Sequence, residues 1–320
     1  MPKASLAGRD RFLQKHPHPK VLTPRACYVC SGSNFESISE YDRYGIPYPV
    51  GICTQCGNVQ QTKYYTPDVL GDFYQVYYRD IYGSLPPSAL FKVSFDRDIF
   101  EFFDGTVGPT DRVLEIGTGS GGNLLKFKNH GCDVLGLDFD PRYLDEGRKH
   151  GLRMEFGSLD ALDQDAKFDI IILAHVLEHI DGPIEFLQKA ITFLAPKGRL
   201  YIEVPSLDNV SEGGYNYDVL RYFQNAHTIH FTTHSFKNVC VSSGLKIVKS
   251  DTFIRSILER DASSNNDIAY HYDETVSLLE CITAKKNSTL EKTKRKLRSL
   301  RRAAIDTLGL RGLLERVRSR

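Results

Sequence analysis

No run of apolar residues in this 320-residue chain approaches the ~18 that a membrane-spanning helix needs. The opening stretch, MPKASLAGRDRFLQKHPHPK, also lacks the apolar segment of a secretory leader and carries charges and prolines instead. These two absences set the expected compartment as the cytoplasm, where thiols stay reduced. Net charge is nearly absent too, at +1 with 25% of residues charged. The balance conceals an asymmetry: from Lys285 to Arg320 thirteen Lys or Arg stand against three acids, which makes this tail +10 and residues 1–284 −9. An acidic body lacks the basic track that a phosphate backbone requires, so a nucleic-acid substrate is not expected.

Cysteine is present in a telling pattern. Cys27-Tyr-Val-Cys30 and Cys53-Thr-Gln-Cys56-Gly57 are two C-x2-C pairs with twenty-two residues between them. In a reducing compartment each pair offers two thiolates on a tight turn, and two pairs complete a four-sulfur tetrahedral zinc site. The segment around them is short and rich in turn formers, so a metal would supply stability that its own core cannot. The predicted role of Cys27, Cys30, Cys53 and Cys56 is therefore a closed, structural zinc site. Cys132, Cys240 and Cys281 sit in apolar surroundings and read as small core residues.

The run Val113-Leu-Glu-Ile-Gly-Thr-Gly-Ser-Gly-Gly122 is a short apolar strand ending in an acid and alternate glycines, followed by an amphipathic stretch. It predicts a buried strand, a tight turn and a helix start, the point where an open α/β sheet admits a ligand. A second strand, Asp133–Asp138, ends in an acid about twenty residues later, where a carboxylate accepts hydrogen bonds from ribose hydroxyls. Gly117-x-Gly119-x-x-Gly122 also fits the dinucleotide fingerprint, so two ribose-bearing cofactors compete at this stage. Alternation continues with strands expected at 169–174, 199–204, 245–250 and 277–283, and helices near 121–130, 141–149, 183–194 and 234–243. Residues 64–104 are dense in Tyr and Phe at helical spacing, divided by Pro86-Pro87, and predict a helical lid.

The segments LEIGTGSG, GLDFDP, Gly157-Ser-Leu-Asp160, Phe168-Asp-Ile-Ile-Ile-Leu-Ala-His-Val-Leu-Glu-His179 and Leu194-Ala-Pro-Lys-Gly-Arg-Leu-Tyr-Ile-Glu-Val-Pro205 resemble, in order, the class I S-adenosylmethionine (SAM)-dependent methyltransferases. The resemblance spans roughly residues 70–284. It implies a Rossmann-like α/β fold with a seven-stranded methyltransferase sheet, a small N-terminal zinc module and a C-terminal basic helix. It also implies that Gly117, Thr118, Gly119 and Gly121 bring backbone to the cofactor, with Glu115 near its amino group. Asp138 would hold the ribose, and Phe139 would flank the adenine. Ser158 stands where the family usually has an Asp, leaving the Leu159 amide for the adenine. Ala174 and His175 would lie beside the sulfonium, and Tyr78 and Arg79 beside the carboxylate.

His175-Val-Leu-Glu178-His179 matches H-x-x-E-H, but the preceding buried strand and Asp181-Gly-Pro183 oppose a peptidase helix. The stretch also resembles a minority of O-methyltransferases that hold a divalent metal through E-x-x-E-H, with His230 as a further ligand. Methyl transfer is in-line displacement, so catalysis is alignment plus a base for a protonated nucleophile. In the loop His227–His234, His230 is the first candidate base and His175 the second; Thr233 is the expected cap of the helix that follows.

A cysteine module ahead of such a fold resembles sugar C-methyltransferases and relatives in surface-glycan assembly. This chain lacks the Glu of their Glu-His pair and their second large domain, so an O-methyltransferase of a sugar, nucleotide-sugar or glycan intermediate fits equally. A non-catalytic adaptor is the alternative from another class. Domains are expected as a flexible tail (1–22), the zinc module (23–66), the helical lid (67–108), the methyltransferase domain (109–286) and a basic amphipathic tail (287–320). In that tail Leu297, Leu300, Ala304 and Leu308 form one stripe suited to a membrane surface, on the inner face, or to a protein partner.

Overall fold

Seven strands whose apolar residues face both ways explain most of the core. β1 (Arg112–Ile116), β2 (Asp133–Asp138), β3 (Arg153–Phe156), β4 (Phe168–Ala174), β5 (Leu194–Glu203), β6 (Leu245–Ser250) and β7 (Arg255–Arg260) form one sheet ordered β6-β7-β5-β4-β1-β2-β3. The computed structural model describes residues 3–17, 22–261, 267–288 and 292–293. β1 to β5 run parallel, and β7 lies antiparallel between β5 and β6. Leu114, Leu135, Ile171 and Leu200 pack on one face, while Val113, Val134, Ile170 and Tyr201 pack on the other. Sheets covered on both sides need such near-continuous apolar strands, which is why these segments were readable. The helices Gly122–His130, Pro141–Lys149, Pro183–Thr192 and Thr233–Ser242 lie close to expectation. The cap of the last is Thr232, one residue earlier than predicted, in a reciprocal pair with Ser235.

Two expectations are overturned. Residues 277–283 belong to the helix Tyr272–Asn287, with Thr275, Leu279 and Ile282 on its buried side at helical spacing. The last strand of the sheet is Arg255–Arg260, whose short apolar centre is flanked by charges. The N-terminal segment is also no loose tail where it is described. Lys3–Lys15 is a helix, and Phe12 is fully buried against the rings of Tyr65, Phe73 and Tyr77.

The cysteine module is not separate from the sheet domain. Its strands Phe35–Tyr41, Pro47–Cys53 and Val59–Gln61 are joined at the edge by Ile229–His230 from the far end of the chain. Cys27, Cys53 and Cys56 share a hydrophobic cluster with Leu114 and Leu173. Lid helices Pro67–Asp72 and Tyr78–Tyr82 are linked by a single π turn, Phe73–Tyr77, and Pro87–Phe95 follows. Among the described residues no helix is long and apolar enough to cross a membrane. The predicted basic helix over 287–320 lies outside the described residues apart from 287–288 and 292–293.

Gly122 shows how closely the lid meets the sheet: a Cβ there would run into the backbone of Phe91 and Phe95. Gly71, by contrast, lies in a helix with no atom within 4 Å of an added Cβ. Gly122→Ala should cost about 1–3 kcal/mol in chemical denaturation. Gly71→Ala should stabilise by about 0.4–1 kcal/mol; equal effects would contradict the packing.

Candidate functional site

β1, β2 and β4 end on the same edge of the sheet, and the turns after them enclose a cavity of about 340 Å³. Gly117, Asp138, Phe139, Ser158, His175 and His179 line it, with Tyr74 and Tyr78 of the lid closing one side. A neighbouring recess of about 670 Å³ shares Tyr74, Tyr78, Asp138 and Phe139 and extends to Arg79 and Asp140. The two volumes together suit a cofactor and part of an acceptor. Gly117 adopts φ 67°, and a Cβ there would strike Val176, so only glycine keeps this turn open. Gly119 and Gly121 are also left-handed, and Gly121 caps the next helix. Ala174 ends β4 just before His175.

Asp138 is held ready at the mouth. Its two oxygens accept from the Gly119 and Asp140 amides, each at 2.8 Å, and burial pushes its carboxyl up from the usual range. Phe139 is 67% exposed with its edge set against Phe156, 5.7 Å between centroids, a shelf for a flat ring. Ser158 lines the cavity, and Leu159 is buried behind it.

Three predicted residues have other work. Glu115 is 1% exposed and straps the turn, accepting from Thr118 Oγ1 at 2.7 Å and Asn123 Nδ2 at 2.6 Å. Thr118 is buried in that strap. Arg79 pairs with Asp140, which also holds Arg142. A carboxylate of the ligand would have to share or displace that partner.

The histidines divide into two groups. His230 is completely buried in a box of Tyr48, Tyr222 and Phe223, and burial lowers it to about 3. Tyr48 donates to the His227 carbonyl, so His230 Nε2–H donates to the Tyr48 oxygen at 3.0 Å. The cause is the pairing of His230 with Val59, which turns the ring inward. The first candidate base is thus not in the cavity wall. His175 is in the wall, with φ 58°, a left-handed conformation rare outside glycine. Burial alone would lower its pKa, but hydrogen bonds with Glu178 and Glu203 raise it to about 9, so this imidazole is protonated at neutral pH. Glu203 was missed from the sequence because only the register of β5 beside β4 brings it to His175.

His179, read from the sequence only within the H-x-x-E-H stretch, and His227, read only as the start of the histidine loop, form the second group with Glu178. One ligand atom from each lies within 4.8 Å of the others. His179 Nδ1 donates to the Ala226 carbonyl at 2.9 Å, which leaves Nε2 as the basic nitrogen. Glu178 Oε2 and His227 Nδ1 are buried without partners. Such orphaned atoms are what a divalent cation would satisfy.

At the cysteine site, Sγ atoms pair at 3.5 Å, Cys27 with Cys56 and Cys30 with Cys53, and all four lie within 4.8 Å of one another. A disulfide needs ~2.05 Å. A tetrahedral ion with bonds of about 2.3 Å sets its sulfurs about 3.8 Å apart, so the cluster fits a metal. A hydrogen bond from Cys56 lowers Cys27 to about 5, and the same bond, with burial, raises Cys56. Ionising all four thiols in this space requires a cation.

Burial pushes the Glu115 carboxyl up to about 7, although Asn123 and Thr118 pull it down. Its folded value then exceeds the ordinary value of 4.5, so the folded state holds the proton longer. The stability contribution is complete below about pH 4.5 and is lost as pH rises to about 7. Glu115→Gln should lack that slope and, without cofactor, melt higher than the parent at pH 8 by on the order of 2–4 °C. Parallel melting profiles across pH 4–8 would remove Glu115 as the source.

A family model described as a methyltransferase domain matches residues 91–250, half of the chain. The ubiquinone biosynthesis O-methyltransferase of Schizosaccharomyces pombe, a mitochondrial protein, is 28% identical over 104 residues, 30% of this chain and 38% of its own. The protein of that name from Cereibacter sphaeroides is 32% identical over 113 residues, 32% of this chain and 44% of its own. The chain thus spans less than half the length of these relatives. A solved SAM-dependent methyltransferase from Mesorhizobium loti shares 16% identity at a TM-score of 0.41, covering 52% of this chain and 97% of that one. With the family match extending over the glycine turn, Asp138 and the strand that ends at Ala174, the chain belongs to the methyltransferase-domain family.

Proposed function

We propose that the chain methylates an oxygen of a small acceptor, a sugar or glycan intermediate, with His179 Nε2 receiving the hydroxyl proton. The observation that carries this is the contrast between the two cavity histidines. His175 is held protonated by Glu178 and Glu203, whereas the Ala226 carbonyl fixes His179 with its basic nitrogen available. A hydroxyl needs such a base because its proton must leave as the new bond forms. SAM supplies an electrophilic methyl group on a sulfonium. Asp138 would orient its ribose, Phe139 would cover its adenine, and the Gly117 turn would admit it. Protonated His175 keeps the Glu203 and Glu178 carboxylates in fixed positions behind the reacting centre. The likeness to proteins named as O-methyltransferases supports oxygen as the accepting atom. The cysteine module before the catalytic fold supports the sugar or glycan class.

A second reading is favoured by the orphaned atoms of Glu178 and His227: a divalent ion on Glu178, His179 and His227 that polarises the acceptor oxygen directly. In that case His179 is a ligand and not a base. The four cysteines are proposed to hold one structural zinc in either reading.

Transfer of label from SAM into a panel of nucleotide sugars, lipid-linked glycans and catechols tests the acceptor; label in the catechols alone would end the sugar reading. His179→Gln should lower kcat about 10²–10⁴-fold with little change in SAM affinity. If chelation of the parent enzyme causes the same loss and a divalent ion restores it, the metal reading replaces the base. Native mass spectrometry should find one zinc per chain, absent in Cys56→Ser, with a melting temperature lower by many degrees. A zinc-free parent of unchanged stability would refute the structural site.

A further inference from the structure

Arg43 takes part in no ion pair or side-chain hydrogen bond among the described residues, and its Nε is buried without a partner. It lies in the turn between the strands Phe35–Tyr41 and Pro47–Cys53, and its amide is held by the Phe223 carbonyl at 3.1 Å. The guanidinium rests between two rings, 5.2 Å from the centroid of Tyr44 and 5.1 Å from that of Tyr82. The only acid in the turn, Asp42, is already engaged. One oxygen accepts from the Tyr44 and Ile46 amides at 2.8 Å, and the other accepts from Tyr82 Oη. Glu178 faces His175 and His179.

The position of this cation is what gives it a role. The Tyr82 ring packs 5.3 Å from Tyr78, which walls the cofactor cavity. The charge of Arg43 also acts on Tyr78, Tyr215 and His227. Tyr215, Asn216 and Tyr217 are three successive non-glycine residues with φ between 52° and 58°, an arrangement kept only where the surroundings enforce it. Resting on the proposed acceptor reading, we infer that Arg43 receives an oxyanion, phosphate or carboxylate, carried by the acceptor beyond its methylated atom. Arg43 is half-buried, and a planar guanidinium without a hydrogen-bond partner among the described residues binds such a group through two parallel hydrogen bonds. Its aromatic seat fixes the fork before the ligand arrives. The acceptor's anion would thus be read by the cysteine module, and the methyl transfer carried out by the sheet domain.

The test titrates full-length protein, with and without S-adenosylhomocysteine, against pyrophosphate, glucuronate and neutral methyl glucoside by calorimetry. Pyrophosphate or glucuronate should bind the parent protein and methyl glucoside should not; which anion binds more tightly decides between phosphate and carboxylate. Arg43→Gln should weaken anion binding at least about tenfold, and Arg43→Lys should retain part of it. Melting temperature and S-adenosylhomocysteine affinity should be unchanged in both variants. Anion binding that is equal in parent and Arg43→Gln, or absent from the parent, overturns the inference. Failure of S-adenosylhomocysteine to bind the parent falls instead on the methyltransferase reading, and the anion titration without it still decides Arg43.

Discussion

The pairing of Ile229 and His230 with Gln60 and Val59 is the join on which the catalytic side of the molecule depends. Two residues from the loop after β5 complete a sheet that otherwise belongs to the cysteine module. Everything that loop carries is positioned by this short ladder. Ala226, whose carbonyl fixes His179, lies three residues before it. Phe223, whose carbonyl holds Arg43, lies a little further back. The lid is tied into the same place, because Tyr74 donates to the Ala226 carbonyl at 3.2 Å and the Asn225 amide donates to Tyr82 at 2.9 Å. Module, lid and sheet domain therefore meet at one loop.

The same join explains the contrast between two histidines three residues apart. His230 is in the ladder and faces aromatic packing; His227 is just outside it and faces Glu178 and His179. Both are buried, and burial lowers both; what separates them is the neighbour, aromatic rings and Tyr48 for His230 and an orphaned carboxylate for His227. Neither composition nor spacing carries that distinction, since both residues sit in one polar-aromatic stretch.

What was legible in the sequence followed from periodicity and local turn chemistry. Four of the five parallel strands were clear because burial on both faces leaves few polar residues in them, while β3 was not, since only Met154 of its four residues is buried; the glycine turn was clear because no side chain fits at Gly117 or Gly122. The cysteine cluster was equally clear, since its geometry is local to two short loops. Strand β7 was not, because Arg255–Arg260 has only a two-residue apolar centre flanked by charges, and the helix Tyr272–Asn287 carries enough β-branched and apolar residues to imitate a strand. In the site, the contact of Glu115 with Asn123, the bridging of His175 by Glu203 and the seat of Arg43 all depend on registers that only the assembled sheets define.

The two cysteine knuckles and the strand Ile229–His230 also differ in when they can form during synthesis. Each knuckle closes over four residues, and the two lie close together near the amino end. The module's sheet must wait for its edge until β5 and the loop after it have left the ribosome. Contacts of such long sequence separation are slow to form and leave a strand edge open meanwhile. The growing chain thus carries the exposed Val59–Gln61 edge through the making of nearly all of its sheet domain, an interval in which it is most open to mispairing with a neighbouring chain.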